Sequence, residues 1–259
     1  MLEDVVSRLE KVCADRLIAI SLHGSLALGT YDPGWSDIDI VVVTASPISV
    51  EEMKSWREEY AHLLSKGVRG KDLDILFLPL DSEGIYPARY TSFRKGALQD
   101  HSRLPAVARH LLYHHGISLF GGDPSTLVAP PTHREIVDEM DYNLNIYWKR
   151  RAHRPWLFLS REMVDFAVTT LLRILHTLEH GVVIGKEEGL SRALADQKYS
   201  QWKALLSYVE KNRRGKREGG MSALLAPLIR ARQTLRFVRQ MREQGNRLLG
   251  DVSEREHTP

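Results

Sequence analysis

The sequence predicts an α/β N-terminal part, a small mixed sheet flanked by helices, followed by an all-α part. Two observations carry this. Short apolar runs at Leu17–Leu22, Ile40–Val43, Asp72–Pro79 and Ile117–Phe120 alternate with stretches of helical spacing and stop near residue 120. Past the proline-bounded stretch Pro124–Pro131 the strand signals vanish and only helical spacing remains. The predicted domains are residues 1–125 and 126–259.

In the first part, Leu2, Val5, Val6, Leu9 and Val12 recur at helical spacing, so an amphipathic helix opens the chain. Leu17–Leu22 follows as a buried strand, with His23 at its end, placed to touch a phosphate or to serve the fold. Leu26–Leu28 starts a short helix, and Asp32-Pro33-Gly34 is a strong turn signal. Ile40–Val43 is the second strand. Ser49 with Glu52 forms a capping box that opens a helix to about Leu64. Asp72–Pro79 reads as the third strand. Ser82–Gly96 reads as irregular, and its Tyr86, Arg89, Tyr90, Phe93, Arg94 and Lys95 suit a surface loop with anchoring aromatics or a substrate-facing flap. Pro105–His115 is helical; His110 and His114 share a face but lack the partners of a zinc site. In the second part, helices are predicted at about Thr132–Arg151, Ser160–His180, Lys186–Asp196, Ser200–Asn212 and Ser222–Gln244, with Gly250–Pro259 as a frayed tail.

Composition narrows the function classes. At 259 residues, 43% hydrophobic and 27% charged, the chain reads as an ordinary globular protein able to bury a sizeable core. No apolar run approaches the ~20 residues a membrane helix needs. The acidic N-terminal segment lacks the order of a signal peptide, so a cytoplasmic location is expected. The single cysteine, Cys13, has no internal disulfide partner and reads as packing. The net charge of +3 argues against a dedicated nucleic-acid binder, although basic residues cluster at Lys149–Arg151 and Lys211–Arg217.

The chemistry concentrates between Gly24 and Ile40. Side chains alternate along a strand, so Asp37 and Asp39 share one face while Ile38 and Ile40 point into a core. Two adjacent carboxylates repel each other unless a cation stands between them, and hard oxygen ligands suit Mg²⁺. The Gly24-Ser25 turn can offer backbone N–H groups and a hydroxyl to phosphate oxygens. Ser36 could contact a nucleotide or cap the turn. In the third strand Asp72 and Asp74 share a face. Asp74 lies deeper, where a lone carboxylate is expensive to bury, which makes it the candidate third carboxylate with Asp72 as the alternative.

Gly24-Ser25 followed by Ser36-Asp37-Ile38-Asp39 resembles the signature of the polymerase β-type nucleotidyltransferase superfamily. The resemblance implies that Gly24, Ser25 and Ser36 meet a nucleotide, and that Asp37, Asp39 and a third carboxylate hold two Mg²⁺ ions. The helical half, from Leu171 to Glu188, is similar to the corresponding segment of the streptomycin/spectinomycin adenylyltransferases. There Arg173 and Lys186 match an arginine and a lysine that reach the ATP phosphates, and Tyr208 loosely matches a tyrosine near the nucleotide. Read locally, Arg173 could instead pair with an acid and Lys186 simply begin a charged helix. The resemblance implies a cleft site between the two domains, ATP as co-substrate, and an aminoglycoside as acceptor. An acidic surface using Glu162, Asp165 and Asp100 would attract such a polycation, with Trp148 and Trp156 as nearby aromatics. This chain departs from that group in having an aspartate, Asp74, where a glutamate is usual. Two other readings stay open: a minimal nucleotidyltransferase of toxin–antitoxin type that modifies a protein or RNA and docks through Lys211–Arg217, and a non-catalytic ATP-binding module.

Overall fold

Strand alternation sorts the N-terminal side chains onto two faces of a sheet, and each face is covered by helices that carry matching apolar stripes. In the computed structural model, residues 1–31, 36–65, 73–80, 90–94, 96–101, 104–215 and 226–256 are described, without the side chains of 100, 101 and 253–256. The chain divides into two compact units, Met1–Pro131 and Thr132–Pro259.

The first unit holds α1 (Leu2–Cys13), β1 (Leu17–His23), a four-residue α2 (Gly24–Ala27), β2 (Ile38–Thr44), α3 (Val50–Ser65), β3 (Leu73–Pro79), β4 (Tyr90–Arg94), β5 (Ala97–His101), α4 (Ala106–His115), β6 (Ile117–Phe120) and α5 (Pro124–Leu127). The strands form one mixed sheet in the order β5-β4-β3-β2-β1-β6. Only β2 and β3 pair in parallel, joined through α3; the other four pairings are antiparallel. One face buries Ile20, Leu22, Ile38, Ile40, Ile75, Phe77 and Phe93 against Val5, Leu9 and Val12 of α1 and Met53, Trp56, Tyr60 and Leu63 of α3. Cys13 is buried in this core, as packing requires. The other face carries Ala19, Val41, Val43, Leu78 and Tyr90, covered by Leu104, Leu112 and Val128.

Local signals fix the helix that ties β2 to β3. The Ser49–Glu52 capping box forms: Ser49 N–H donates to the Glu52 carboxylate (2.6 Å) and Glu52 N–H donates to Ser49 Oγ (3.2 Å). Its buried face ends in an aromatic cluster, with Phe93 of β4 edge-on to Trp56 (5.9 Å) and to Tyr60 (4.7 Å between centroids). Glu59 on its outer side receives both Arg8 and Lys11 of α1.

The second unit is helical: α6 (His133–Tyr142), a π-helical stretch (Asn143–Trp148), α7 (Lys149–Ala152), a 3₁₀ turn (Pro155–Leu159), α8 (Arg161–His180), α9 (Lys186–Ala195), a second 3₁₀ turn (Gln197–Trp202), α10 (Lys203–Arg213) and α11 (Ala226–Glu256). Helix α8 is its hydrophobic axis, with Val164, Ala167, Val168, Leu171 and Leu175 inaccessible to solvent. It ends at Gly181, whose φ of 70° is the left-handed geometry of a glycine cap. Widening to π spacing leaves a carbonyl that α11 uses: Arg242 Nε–H donates to the Leu144 carbonyl at 2.6 Å. No helix among the described residues is long and apolar enough to cross a membrane.

The structure departs from the sequence reading in two places. Tyr90–Arg94 is a central strand of the sheet rather than part of an irregular flap, and Ala97–His101 pairs with it. Tyr86, Arg89 and Lys95 lie outside the described residues. Helix α11 runs past Gln244 to Glu256, so the expected frayed tail is helical over much of its length. Gly245 does not end the helix because it is a packing site, where a Cβ would press on Leu144 Cδ1 at 2.6 Å.

Trp56 makes both the α3 core and the aromatic cluster, so Trp56→Ala should cost about 3–5 kcal/mol, read as a fall in the urea midpoint with an unchanged slope.

Candidate active site

Four neighbouring strands bring ionisable side chains to one end of the sheet. His23 pairs in register with Asp39. Asp39 pairs with Asp74 across the parallel β2–β3 ladder, and Asp74 pairs with Arg94 across β3–β4. The row His23–Asp39–Asp74–Arg94 therefore crosses four adjacent strands, and the same parity that buries Ile38, Ile40 and Ile75 puts these side chains on the opposite face. Asp37 stands just before β2, two residues from Asp39. The three candidate carboxylates Asp37, Asp39 and Asp74 thus gather at one sheet end. Asp72, the alternative, lies outside the described residues.

Gly24 follows His23 with a φ of 69° and lies against the Asp39 carboxylate, in the space a Cβ would need. Both features, a left-handed φ and a close approach, favour glycine. Ser25 is half-buried in the first turn of α2, where its carbonyl accepts from Thr30 N–H at 2.9 Å. Ser36 is half-buried beside Asp37.

Arg94 ties the carboxylates together. Its Nε lies 3.1 Å from Asp74 Oδ2, and its Nη2 lies 3.1 Å from Asp37 Oδ2. One guanidinium spans carboxylates from two segments, with a side chain 52% exposed against 15% for Asp74. Burial pushes the Asp74 carboxyl up to about 6; Arg94 pulls it down, the charges of Asp39 and Asp37 push it further up, and His23 lowers it. Burial pushes His23 down to about 4, with Asp74 opposing. Burial works against the charge on Arg94, but Asp74, Asp37 and Asp39 outweigh it and hold that charge more firmly.

The residues fit a divalent ion by their chemistry. Three carboxylates present hard oxygens, and Asp74 Oδ1 is buried without a hydrogen-bond partner among the described residues. The described residues do not converge into a ready-made cage of three or more ligands, and Arg94 holds two of the oxygens.

In the helical unit, the predicted residues fall at separate stations. Arg173 is half-buried on α8, donating from Nε to the Ile184 carbonyl at 2.7 Å. Gly189 of α9 passes close to it: a Cβ there would lie 3.3 Å from Arg173 Cγ. Burial lowers the Arg173 pKa, with Glu139 opposing. Lys186 is exposed at the first position of α9, where a cation opposes the helix dipole and the N-terminal N–H groups already favour an anion. Tyr208 packs its ring under Arg230, 4.5 Å from ring centroid to guanidinium carbon.

Two expectations are corrected here. Asp165 is not part of an open acidic surface. It is buried and bidentate to Arg213, at 2.6 and 3.0 Å, and Glu187 meets the same guanidinium. Arg213 is accordingly buried at the end of α10 rather than part of a basic docking loop; residues 216–225 lie outside the described set. Glu162 is exposed in the first turn of α8, Trp148 is fully buried and Trp156 is 61% exposed. Nothing is described of the Asp100 side chain. His110 and His114 lie side by side on one helix face, 4.4 Å between centroids with their rings tilted by 49°.

The sequence reading missed the role of Arg94 as a partner of the carboxylates. The alternation of Tyr90, Ser92 and Arg94 against Thr91 and Phe93 was the available signal, but its pairing with Asp74 is a cross-strand relation.

Known proteins resemble this chain in the sequence of its first part and in fold. Residues 3–80 match the family model of the nucleotidyltransferase domain. A solved structure of spectinomycin adenyltransferase AAD(9) from Enterococcus faecialis, with ATP and spectinomycin, is similar in fold, with a TM-score of 0.65 at 14% identity, covering 93% of this chain and 98% of that one. A toxin–antitoxin structure with AMP-PNP matches over 58% of this chain and 92% of that one at 19% identity, with a TM-score of 0.30. No curated protein sequence matches the chain.

Two outcomes follow for stability. Because Asp74 has a higher pKa folded than unfolded, its ionisation costs stability as pH rises from about 4 to about 6. His23 contributes the opposite slope over pH 4 to 6.5, so only a difference isolates Asp74. Without divalent ions, Asp74→Asn should be more stable than wild type at pH 8, by up to about 3 kcal/mol, with the gap closing by pH 4. Asp165→Ala, which strands the buried Arg213, should destabilise the protein by about 3–5 kcal/mol in chemical denaturation.

Proposed function

We propose that this chain, whose residues 3–80 match the family model of the nucleotidyltransferase domain, transfers AMP from ATP to a hydroxyl of a small molecule, with an aminoglycoside as the acceptor class. The observation that carries the reading is the convergence of Asp37, Asp39 and Asp74 at one sheet end beside the Gly24-Ser25 turn. A lone buried carboxylate would be eliminated by folding economy alone; three together next to an anion-friendly turn suit a triphosphate and its counter-ions. The neighbour solved with ATP and spectinomycin supports the co-substrate and the acceptor class.

In this reading Gly24 and Ser25 receive the triphosphate tail, Ser36 lies against the nucleotide, and Arg173 and Lys186 supply positive charge for phosphate oxygens, with Tyr208 near the nucleotide. Asp37, Asp39 and Asp74 would hold Mg²⁺. When bound, Mg²⁺ supplies Lewis-acid stabilisation of the charge that develops on the entering and leaving oxygens. Asp74, raised toward neutrality by burial, is suited to take the acceptor hydroxyl's proton. The hydroxyl oxygen then bonds to the α-phosphorus, the bond from that phosphorus to the β-bridging oxygen breaks, and pyrophosphate leaves. The remaining protein contribution is positioning and charge neutralisation. The single cysteine, which has no partner for an internal disulfide, suits the cytoplasmic location we assign to such an enzyme. The acceptor class draws no support from Asp165, whose charge is spent on Arg213.

Pyrophosphate release from ATP and Mg²⁺ should appear with one drug class in a panel of streptomycin, spectinomycin and neomycin, and fall by at least about 10²–10³-fold in Asp37→Asn. Silence across the panel with ATP still bound would remove the aminoglycoside acceptor and turn the search to macromolecular hydroxyls.

A further inference from the structure

We propose that Arg94 competes with the divalent ion for Asp37 and Asp74, so that the ion must displace this guanidinium to bind. The role rests on the nucleotidyl-transfer reading of the three carboxylates. The geometry behind it is specific. Arg94 ends β4 directly opposite Asp74, so the strand register holds its Cα beside the cluster whatever its side chain does. From there Nε meets Asp74 Oδ2 and Nη2 meets Asp37 Oδ2, both at 3.1 Å. The two carboxylates come from different segments, and one planar fork joins them, which a point charge could not do as well.

The contacts are also asymmetric. The Arg94 side chain is half exposed while Asp74 is mostly buried. The carboxylates are therefore held by the sheet, and the arginine caps them from the solvent side, free to swing outward when displaced. An oxygen that accepts from a guanidinium has its charge neutralised and its lone pair directed there. A divalent ion needs the same charge, and a second cation a few ångströms away repels it. Binding of either cation must then weaken the other by the same factor. A purely structural Arg94 would act with the opposite sign. By holding Asp37 and Asp74 in place it would help the ion, and removing it would let the ligands splay and lower ion affinity.

The sign of the effect therefore decides, and Mn²⁺ titrated into the full chain without nucleotide reads it, by calorimetry and by the free-ion paramagnetic resonance signal. Arg94→Gln should bind Mn²⁺ about tenfold tighter than wild type, and Arg94→Lys, which keeps the charge but loses the fork, about threefold tighter. The Arg94→Gln protein should also melt lower without Mn²⁺ and gain more from its addition. If Arg94→Gln does not fold, the Arg94→Lys affinity is the deciding value. Equal or weaker Mn²⁺ binding in the folded variant overturns the competition. Asp39→Asn separates this from the broader reading: loss of Mn²⁺ binding there, with unchanged affinity in Arg94→Gln, sinks only the role of Arg94. Wild-type Mn²⁺ affinity retained in both Asp39→Asn and Asp74→Asn sinks the carboxylate site and the Arg94 proposal with it.

Discussion

The two-residue period of a strand is the constraint on which the N-terminal unit depends. Ile38, Ile40, Leu73 and Ile75 must face α1 and α3 to build the core, and the parity that sends them there sends Asp39 and Asp74 to the other face. A slip of one residue in β2 would bury a carboxylate and expose isoleucine. The hydrophobic core thus specifies where the charges go, and the parallel β2–β3 register sets Asp39 and Asp74 on neighbouring strands. Burial makes the charge cluster costly to fold, raising the Asp74 pKa and lowering that of His23, while the aromatic cluster of Trp56, Tyr60 and Phe93 packs on the other face of the sheet.

The helical unit solves a different electrostatic problem. Arg213, Asp165 and Glu187 meet from three helices, α10, α8 and α9. Buried charges rarely add net stability over apolar packing, but losing one partner leaves the other buried and uncompensated, which couples these helices. Its Glu187 is the residue next to Lys186, the exposed cation at the start of α9.

Much of this was legible in the sequence where the governing physics is local. Capping at Ser49, the Gly24-Ser25 turn, the parity of Asp37 and Asp39, the helical character of α8 and the burial of Cys13 all follow from near neighbours. What escaped depends on partners distant in the chain. Tyr90–Arg94 is short and flanked by polar residues, and it becomes a central strand only because β3 and β5 accept it. Asp165 read as an acid near a predicted binding face because Arg213, 48 residues on, is invisible to helical spacing. Helix α11 outran its expected end because Gly245, a breaker in isolation, is selected by close packing on Leu144.

The contact of Gly24 with Asp39 also shapes how such a protein can diversify. Position 24 disfavours any side chain on two grounds, its left-handed backbone and the Asp39 carboxylate, which would have to move aside. Random libraries aimed at altered acceptors would spend their diversity in vain on the turn. Variation is affordable instead on exposed positions such as Glu162 and Trp156, whose side chains bear no such steric duty.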